Sequence, residues 1–249
     1  MRNPVVPKTF VLVHGWGGSA AAWGAVAVAL ERAGHNVRAV ALPGHEGSVV
    51  ANEPTVAGAA DAVGDVLSSV EEPAVLVGHS LGAQVTSLLH VSLAGRVEGE
   101  VVIDPAYGHP DDDLPRLHKW LARIRAQGHE PVIRFAEEAF SELTSPGLRG
   151  SVLRDITRTP VHVLASYLES AYIADGAIGM ASQSRLFLAR RTRPVLAVYS
   201  NVPGAIFERS LANKGVRVEL WLGHGHWLHL EEPARFARLM SSWSDATLN

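Results

Sequence analysis

Ser80 stands at the centre of Gly78-His79-Ser80-Leu81-Gly82, a G-x-S-x-G motif. Its chemistry would be nucleophilic. A serine hydroxyl attacks poorly at its own pKa and needs a positioned base. The motif also carries a geometric demand. The serine must project from a turn so sharp that its backbone is strained, and side chains at 78 and 82 would collide across that turn. The flanks fit. The apolar run Ala74–Val77 enters the motif and a helix-compatible stretch, Gln84–Leu93, leaves it. Strand, turn and helix together are the context that separates a nucleophile turn from a chance match; a plain Gly-Ser-Gly turn is the bland alternative. The chain has no cysteine, which removes a thiol nucleophile, a disulfide framework and a thiolate metal site.

Candidate partners for Ser80 lie far along the chain. Gly223-His224-Gly225-His226-Trp227-Leu228-His229 offers three imidazoles. The same trio has a metal-like spacing, but no carboxylate motif completes a ligand set, and no metal is expected. Two carboxylates are candidates for the group that orients the base. Asp104 ends the run Val101-Val102-Ile103 and precedes Pro105, where a plain capping role is the alternative; Glu208 follows the run Pro194–Ser200.

The elements that must position these groups read from the apolar pattern. Thr9–Val13, Asn36–Leu42, Ala74–Val77 and Glu98–Ile103 are short apolar runs, as buried parallel strands should be. Helical stretches separate them: one from an N-cap at Ser19 to Ala33, closed by Gly34, one capped by Thr55 and reaching Val70, and one over Gln84–Leu93. Strict alternation predicts an α/β fold with a doubly wound, mostly parallel sheet. The rhythm fails from Gly108 to Arg191, where helices are expected at Leu114–Ala126, Val132–Leu143, Leu148–Ile156, Val161–Tyr172 and Met180–Arg190. It resumes with strands Pro194–Ser200 and Val216–Leu222, a helix Gly204–Asn213 closed by Lys214-Gly215, and a last helix from Glu232-Pro233 to about Trp243. The expected organisation is a core of residues 1–107 and 192–249, with a helical lid, residues 108–191, inserted before the last two strands.

Bulk composition bounds the function. The 249 residues are 47% apolar, enough for a sizeable core, and the net charge of −3 gives no electrostatic footprint for nucleic acid or an anionic membrane. The N-terminal stretch lacks the apolar core of a signal peptide, and no run approaches 18 apolar residues. The expectation is a soluble, cytoplasmic protein acting on a small molecule. Oligomeric state is not encoded legibly.

Four motifs in order then resemble the α/β-hydrolase family over nearly the whole chain: His14-Gly15-Trp16-Gly17 after the first strand, Pro43-Gly44-His45-Glu46-Gly47-Ser48 after the second, Gly78–Gly82 after the third, and Gly225-His226 with Leu230-Glu231-Glu232-Pro233 after the last. The size resembles the six-stranded minimal form, and the opening resembles, locally, the plant esterase and hydroxynitrile lyase branch. The resemblance implies a triad with Ser80 as nucleophile and His226 as base, His224 and His229 being rivals. It implies an oxyanion hole from the backbone N–H groups of Leu81 and Trp16, and no cofactor. The family's common site for the acid, after Pro194–Ser200, holds no carboxylate before Glu208. Asp104 therefore takes the role, with Glu208 or an acid-less dyad as alternatives. The activity implied is hydrolysis of a small or medium apolar ester, thioester or lactone. C–C cleavage, cyanohydrin lysis, cofactor-free oxygenation and a ligand-binding receptor are the alternatives on the same scaffold. Epoxide hydrolysis and dehalogenation need a carboxylate where Ser80 stands.

Overall fold

Short β-branched runs that are apolar on both faces become central strands, because only a covered parallel sheet buries both faces. In the computed structural model, which describes residues 6–48, 52–211 and 215–248, β1 (Thr9–Val13), β3 (Ala74–His79), β4 (Val97–Ile103) and β5 (Val195–Tyr199) fill the middle of a six-stranded sheet. β2 (Asn36–Val40) and β6 (Val216–Leu220) form its edges, in the order β2-β1-β3-β4-β5-β6 with every pair parallel. All of β3 is buried, whereas the edge strands are largely accessible.

Side chains alternate between the two faces of a strand, and the core divides accordingly. Val11, Val13 and Leu76 pack with α2 (Val56–Ser68) and α3 (Leu81–Ser92). Phe10, Leu12, Val75 and Val77 pack on the other face with α1 (Gly24–Arg32) and α11 (Pro233–Thr247). The chain leaves β1 for β2 on one side of it and passes from β2 to β3 on the other. At such a reversal the loops at the strands' carboxyl ends part and open a crevice. The loop after β1 and the turn after β3 flank it.

Five helices join β4 to β5: α4 (Leu114–Gln127), α5 (Glu130–Ala139), α6 (Pro146–Arg158), α7 (Val161–Tyr172) and α8 (Ala181–Leu188). They share an apolar cluster of their own that includes Leu117, Leu121, Ile124, Val132 and Leu164. Trp16 and Trp227 pack against that cluster from the sheet side. The two chain crossings at the base of this segment are tied together: the N–H of His109 donates to Gly179 O at 3.0 Å, and that of Ala181 to His109 O at 2.7 Å.

Several local expectations shift. Ser19 does not cap with its side chain; the first turn is a short 3-10 helix (Ala20–Trp23), and the Ser19 hydroxyl donates instead to Asp155 at 2.8 Å. Thr55 does cap, accepting from Gly58 N–H at 3.0 Å. α5 stops at Ala139, because Phe140 is extended. The helix after β5 is α9 (Val202–Arg209), capped by Asn201, which accepts from Gly204 N–H at 2.8 Å. The end expected for it at Asn213–Lys214 lies outside the described residues. α11 runs to Thr247, one turn beyond Trp243. Among the described residues no helix is long and apolar enough to cross a membrane.

A buried ionic cluster fastens the five-helix segment back onto the sheet. Arg191, just past α8, is 1% exposed. Its Nη1 donates to Glu208 of α9 at 2.9 Å, and its Nη2 to the hydroxyls of Ser87 (2.8 Å) and Tyr107 (3.0 Å). Its Nε lies 3.2 Å from Glu100 Oε2. Burial pushes the Glu100 carboxyl up, but the Arg191 guanidinium and hydrogen bonds from His90 and Thr86 outweigh it and hold it at about 2. Removing one member of such a pair strands the other charge in a dry interior. Arg191→Leu should therefore cost about 3–5 kcal/mol, read as a lowered denaturation midpoint; a loss below 1 kcal/mol would contradict this account.

Candidate active site

Ser80 sits at φ 52°, ψ −117°, between β3 and α3. The elbow is held by the backbone around it. Ser80 N–H donates to Ile103 O at 2.9 Å, and Ser80 O accepts from Ala83 and Ala106, each at 3.0 Å. The two flanking glycines meet different neighbours. A Cβ on Gly78 would stand 2.5 Å from Gly82 O, across the turn as expected. A Cβ on Gly82 would instead stand 2.5 Å from Val13 O, so this glycine lets α3 seat against the end of β1.

Among the described residues only two non-glycine positions have positive φ, Ser80 and Asp104 (φ 37°). Strain of this kind survives only where the surroundings over-determine it, and it clusters at working sites. The β3–β4 register pairs His79 with Ile103, so Ser80 and Asp104 leave adjacent strands side by side. Asp104 is 6% exposed. Its Oδ1 accepts from Ser200 N–H at 2.8 Å and from the Asn201 amide at 3.4 Å; its Oδ2 accepts from the Ser200 hydroxyl. His226 Nδ1 faces the same Oδ2 at 3.5 Å. That is an ion-pair separation, longer than a hydrogen bond, and it leaves Nε2 as the ring's other polar atom.

Two of the rivals, His224 and Glu208, are occupied elsewhere, whereas His229 also lines the cavity. His224 pairs Nδ1 with Glu231 at 3.0 Å, has Arg235 beside Nε2 at 3.3 Å, and does not line the cavity that holds Ser80. His229 is buried against Trp23 (ring centroids 4.6 Å apart) and His79 (4.4 Å). Glu208 accepts from Tyr107, Tyr199 and Arg191, at 2.7, 2.9 and 2.9 Å, and does not line the cavity that holds Ser80. Among the described residues no three His, Asp or Glu side chains converge as metal ligands.

His226 is fixed through its backbone: its N–H donates to Ala139 O at 3.0 Å, and its carbonyl meets His79 Nε2 at 2.9 Å. The loop after β1 is pinned by histidines as well. His14 Nδ1 meets Gly15 O at 2.8 Å, while its Nε2 accepts from Leu42 N–H at 3.1 Å. His45 Nε2 accepts the Gly17 N–H at 3.1 Å. Gly18 N–H donates to Gly15 O. The N–H of Trp16 thus remains without an acceptor among the described residues, as does that of Leu81 at the first position of α3.

Ser80, His226, Trp16 and Leu81 all line one cavity of about 600 Å³. Trp227, Trp120, Phe135 and Tyr172 line it too, whereas Phe140 packs on Trp227, Tyr167 is core, and Phe187 lies under Arg190. Sequence reasoning missed Ser200 and Asn201, the hydrogen-bonding cradle of Asp104. The signal was present: a polar pair directly after β5, where no carboxylate stands.

The pinning histidines have a consequence for pH. Burial, reinforced by His45, lowers His14 to about 3; burial lowers His45 to about 4. Burial also pushes His79 and His229 well below the ordinary value of 6.5. The unfolded chain binds protons at these sites as pH drops through 6.5, while the native state refuses them. Stability should therefore be flat above pH 7 and fall from 6.5 toward 4, by up to about 1.4 kcal/mol per pH unit for each histidine. Denaturant midpoints measured from pH 4 to 8 test this; a flat profile would refute it.

Comparison with known proteins agrees with this architecture. A profile described as the alpha/beta hydrolase family matches residues 10–239. No curated protein sequence matches the chain. Among solved structures, an esterase from Thermogutta terrifontis with malate bound is 18% identical, covering 98% of this chain and 92% of its own, with a TM-score of 0.79. The enol-lactonase from Burkholderia xenovorans LB400 is 18% identical over 96% of this chain and 92% of its own, TM-score 0.77. The bromoperoxidase from Bacillus anthracis is 17% identical over the same shares, TM-score 0.81. At these identities the likeness is one of fold. The strand order, the strained serine turn and the match over nearly the full length give one conclusion: this chain belongs to the alpha/beta hydrolase family.

Proposed function

We propose that this protein is a serine hydrolase that cleaves a small or medium apolar ester, thioester or lactone through an acyl-enzyme on Ser80. One observation carries the reading. The two non-glycine residues with positive φ among the described residues, Ser80 and Asp104, stand at neighbouring strand ends, and His226 faces Asp104 beside the cavity that Ser80 lines.

In this reading His226 Nε2 takes the Ser80 proton as the hydroxyl attacks the carbonyl, then delivers it to the leaving alcohol or thiol. Asp104, oriented by Ser200 and Asn201, holds Nδ1 and stabilises the imidazolium. The Trp16 and Leu81 N–H groups receive the developing oxyanion, each donor of this kind being worth about 2.7–4 kcal/mol. Water, activated by the same histidine, releases the acyl group. The reaction needs no cofactor. Residues 108–191 act as the lid, since α4 to α7 contribute most of the cavity wall that is not sheet-edge loop. The mostly apolar lining supports an apolar substrate, and the esterase and lactonase among the fold's relatives support the bond type.

A fluorophosphonate probe tests the nucleophile. One adduct by intact mass is expected, lost in Ser80→Ala and in His226→Ala but kept in His224→Ala; an unlabelled parent would move lyase, oxygenase or receptor readings ahead. The acid has its own test. Asp104→Asn should lower kcat by roughly 10³–10⁴, whereas Glu208→Gln should act chiefly on stability; the reverse ranking would reassign the acid.

A further inference from the structure

The wall of the cavity is chemically uneven. Part of it is apolar, with Trp16, Ile156 and Leu168. Its α4 side is cationic. Arg116, Lys119 and Arg123 follow one another at helical spacing around Trp120, so one stripe of the helix presents three charges and a ring to the same opening. Arg134 of α5 adds a fourth cation, and all four are exposed.

Packing does not require these residues. The buried stripe of α4 is Leu117, Leu121 and Ile124, so the identities at 116, 119 and 123 are free for another purpose. Arg116 and Arg134 are matched on nearby turns, by Asp113 at 2.5 Å and by Glu130. Lys119 and Arg123 have neither an ion pair nor a hydrogen bond among the described residues. The cavity's own carboxylates, Asp155 and Glu138, form no ion pair with Lys119 or Arg123 among the described residues; Asp155 receives the Ser19 hydroxyl. This rim is positive on a chain whose net charge is −3. A local field opposed to the overall charge selects ligands by sign at the point of entry.

We infer that the substrate is an amphiphile: its scissile carbonyl reaches Ser80, an apolar segment fills the cavity, and an anionic group, carboxylate or phosphate, is held at the rim by Lys119 and Arg123. The inference rests on the hydrolase reading above and narrows its substrate class. The anion sits either at the far end of the acyl chain or on the leaving group.

Two pairs of esters separate these. The first pair is p-nitrophenyl octanoate and the p-nitrophenyl monoester of suberic acid, which differ by an anion on the acyl end. The second is the octanoyl esters of 4-hydroxybenzamide and 4-hydroxybenzoate, which differ by an anion on the leaving group. In one pair the anionic ester should have the higher kcat/KM. Its advantage over the neutral partner should shrink as ionic strength rises, and should fall about tenfold or more in Lys119→Glu/Arg123→Glu, through KM. The responding pair assigns the side. Both substitutions are exposed, so the thermal transition reports whether the fold is retained. Fluorophosphonate labelling and turnover with an unchanged anionic-to-neutral ratio in both pairs would overturn this inference alone. Absence of both labelling and turnover would overturn the hydrolase reading beneath it.

Discussion

The backbone at the end of β3 turns through a conformation that L-residues avoid, and the rest of the molecule is arranged to hold it there. A positive φ at a serine costs about 1–3 kcal/mol. Three hydrogen bonds to Ser80's own peptide groups, from β4, α3 and the segment after β4, resist its relaxation. Two glycines remove the Cβ atoms that would otherwise strike backbone at 2.5 Å. The neighbouring strand repeats the device at Asp104, and the parallel register sets the two strained residues next to each other. Strain that the sheet alone can sustain is thus concentrated at the edge where loops part at the switch point.

Around that edge, charge is rationed by burial. His14, His45, His79 and His229 are desolvated and kept neutral, so they serve as fixed hydrogen-bonding and packing groups. His14 and His45 hold the loop after β1, and His79 holds the His226 carbonyl. The same loop is tied to the five-helix segment: the Trp16 indole donates to Leu164 O at 2.9 Å, the Ser19 hydroxyl to Asp155 at 2.8 Å, and Gly17 lies against Ile156. In the proposed mechanism this couples substrate selection to oxyanion geometry, because the wall that meets the substrate also positions one of the N–H donors.

Asp104 and Glu208 illustrate how environment assigns roles to identical chemistry. Both are buried carboxylates near β5. Glu208 is surrounded by Arg191 and two tyrosine hydroxyls and completes a charge cluster shared with Glu100. Asp104 is cradled by Ser200 and Asn201 yet keeps one oxygen toward an imidazole. The first arrangement closes the fold, and the second leaves one carboxylate oxygen facing the His226 imidazole.

The sequence by itself determined what is local. Apolar runs gave the strands their places, the loss of alternation marked 108–191 as inserted, and G-x-S-x-G in a strand–helix context located the strained turn, because each signal spans only a few residues. That the sheet is parallel and doubly wound followed from alternation; the order of its strands came with the structure. Tertiary structure decided what depends on partners distant in sequence. Asp104 and Glu208 were both candidates in the chain; the β3–β4 register sets Asp104 beside Ser80, and the Arg191 cluster holds Glu208. His224, His226 and His229 differ by a few positions, yet their rings face Glu231, Asp104 and Trp23. Ser200 and Asn201 read as a gap where a carboxylate was missing and are the donors that hold Asp104 from the neighbouring strand. Ser19 read as a helix cap and turned to Asp155, since a hydroxyl takes whichever acceptor packing brings to it. Local patterns specify where the backbone goes; which polar side chains meet is set by the register and packing of segments far apart in the chain.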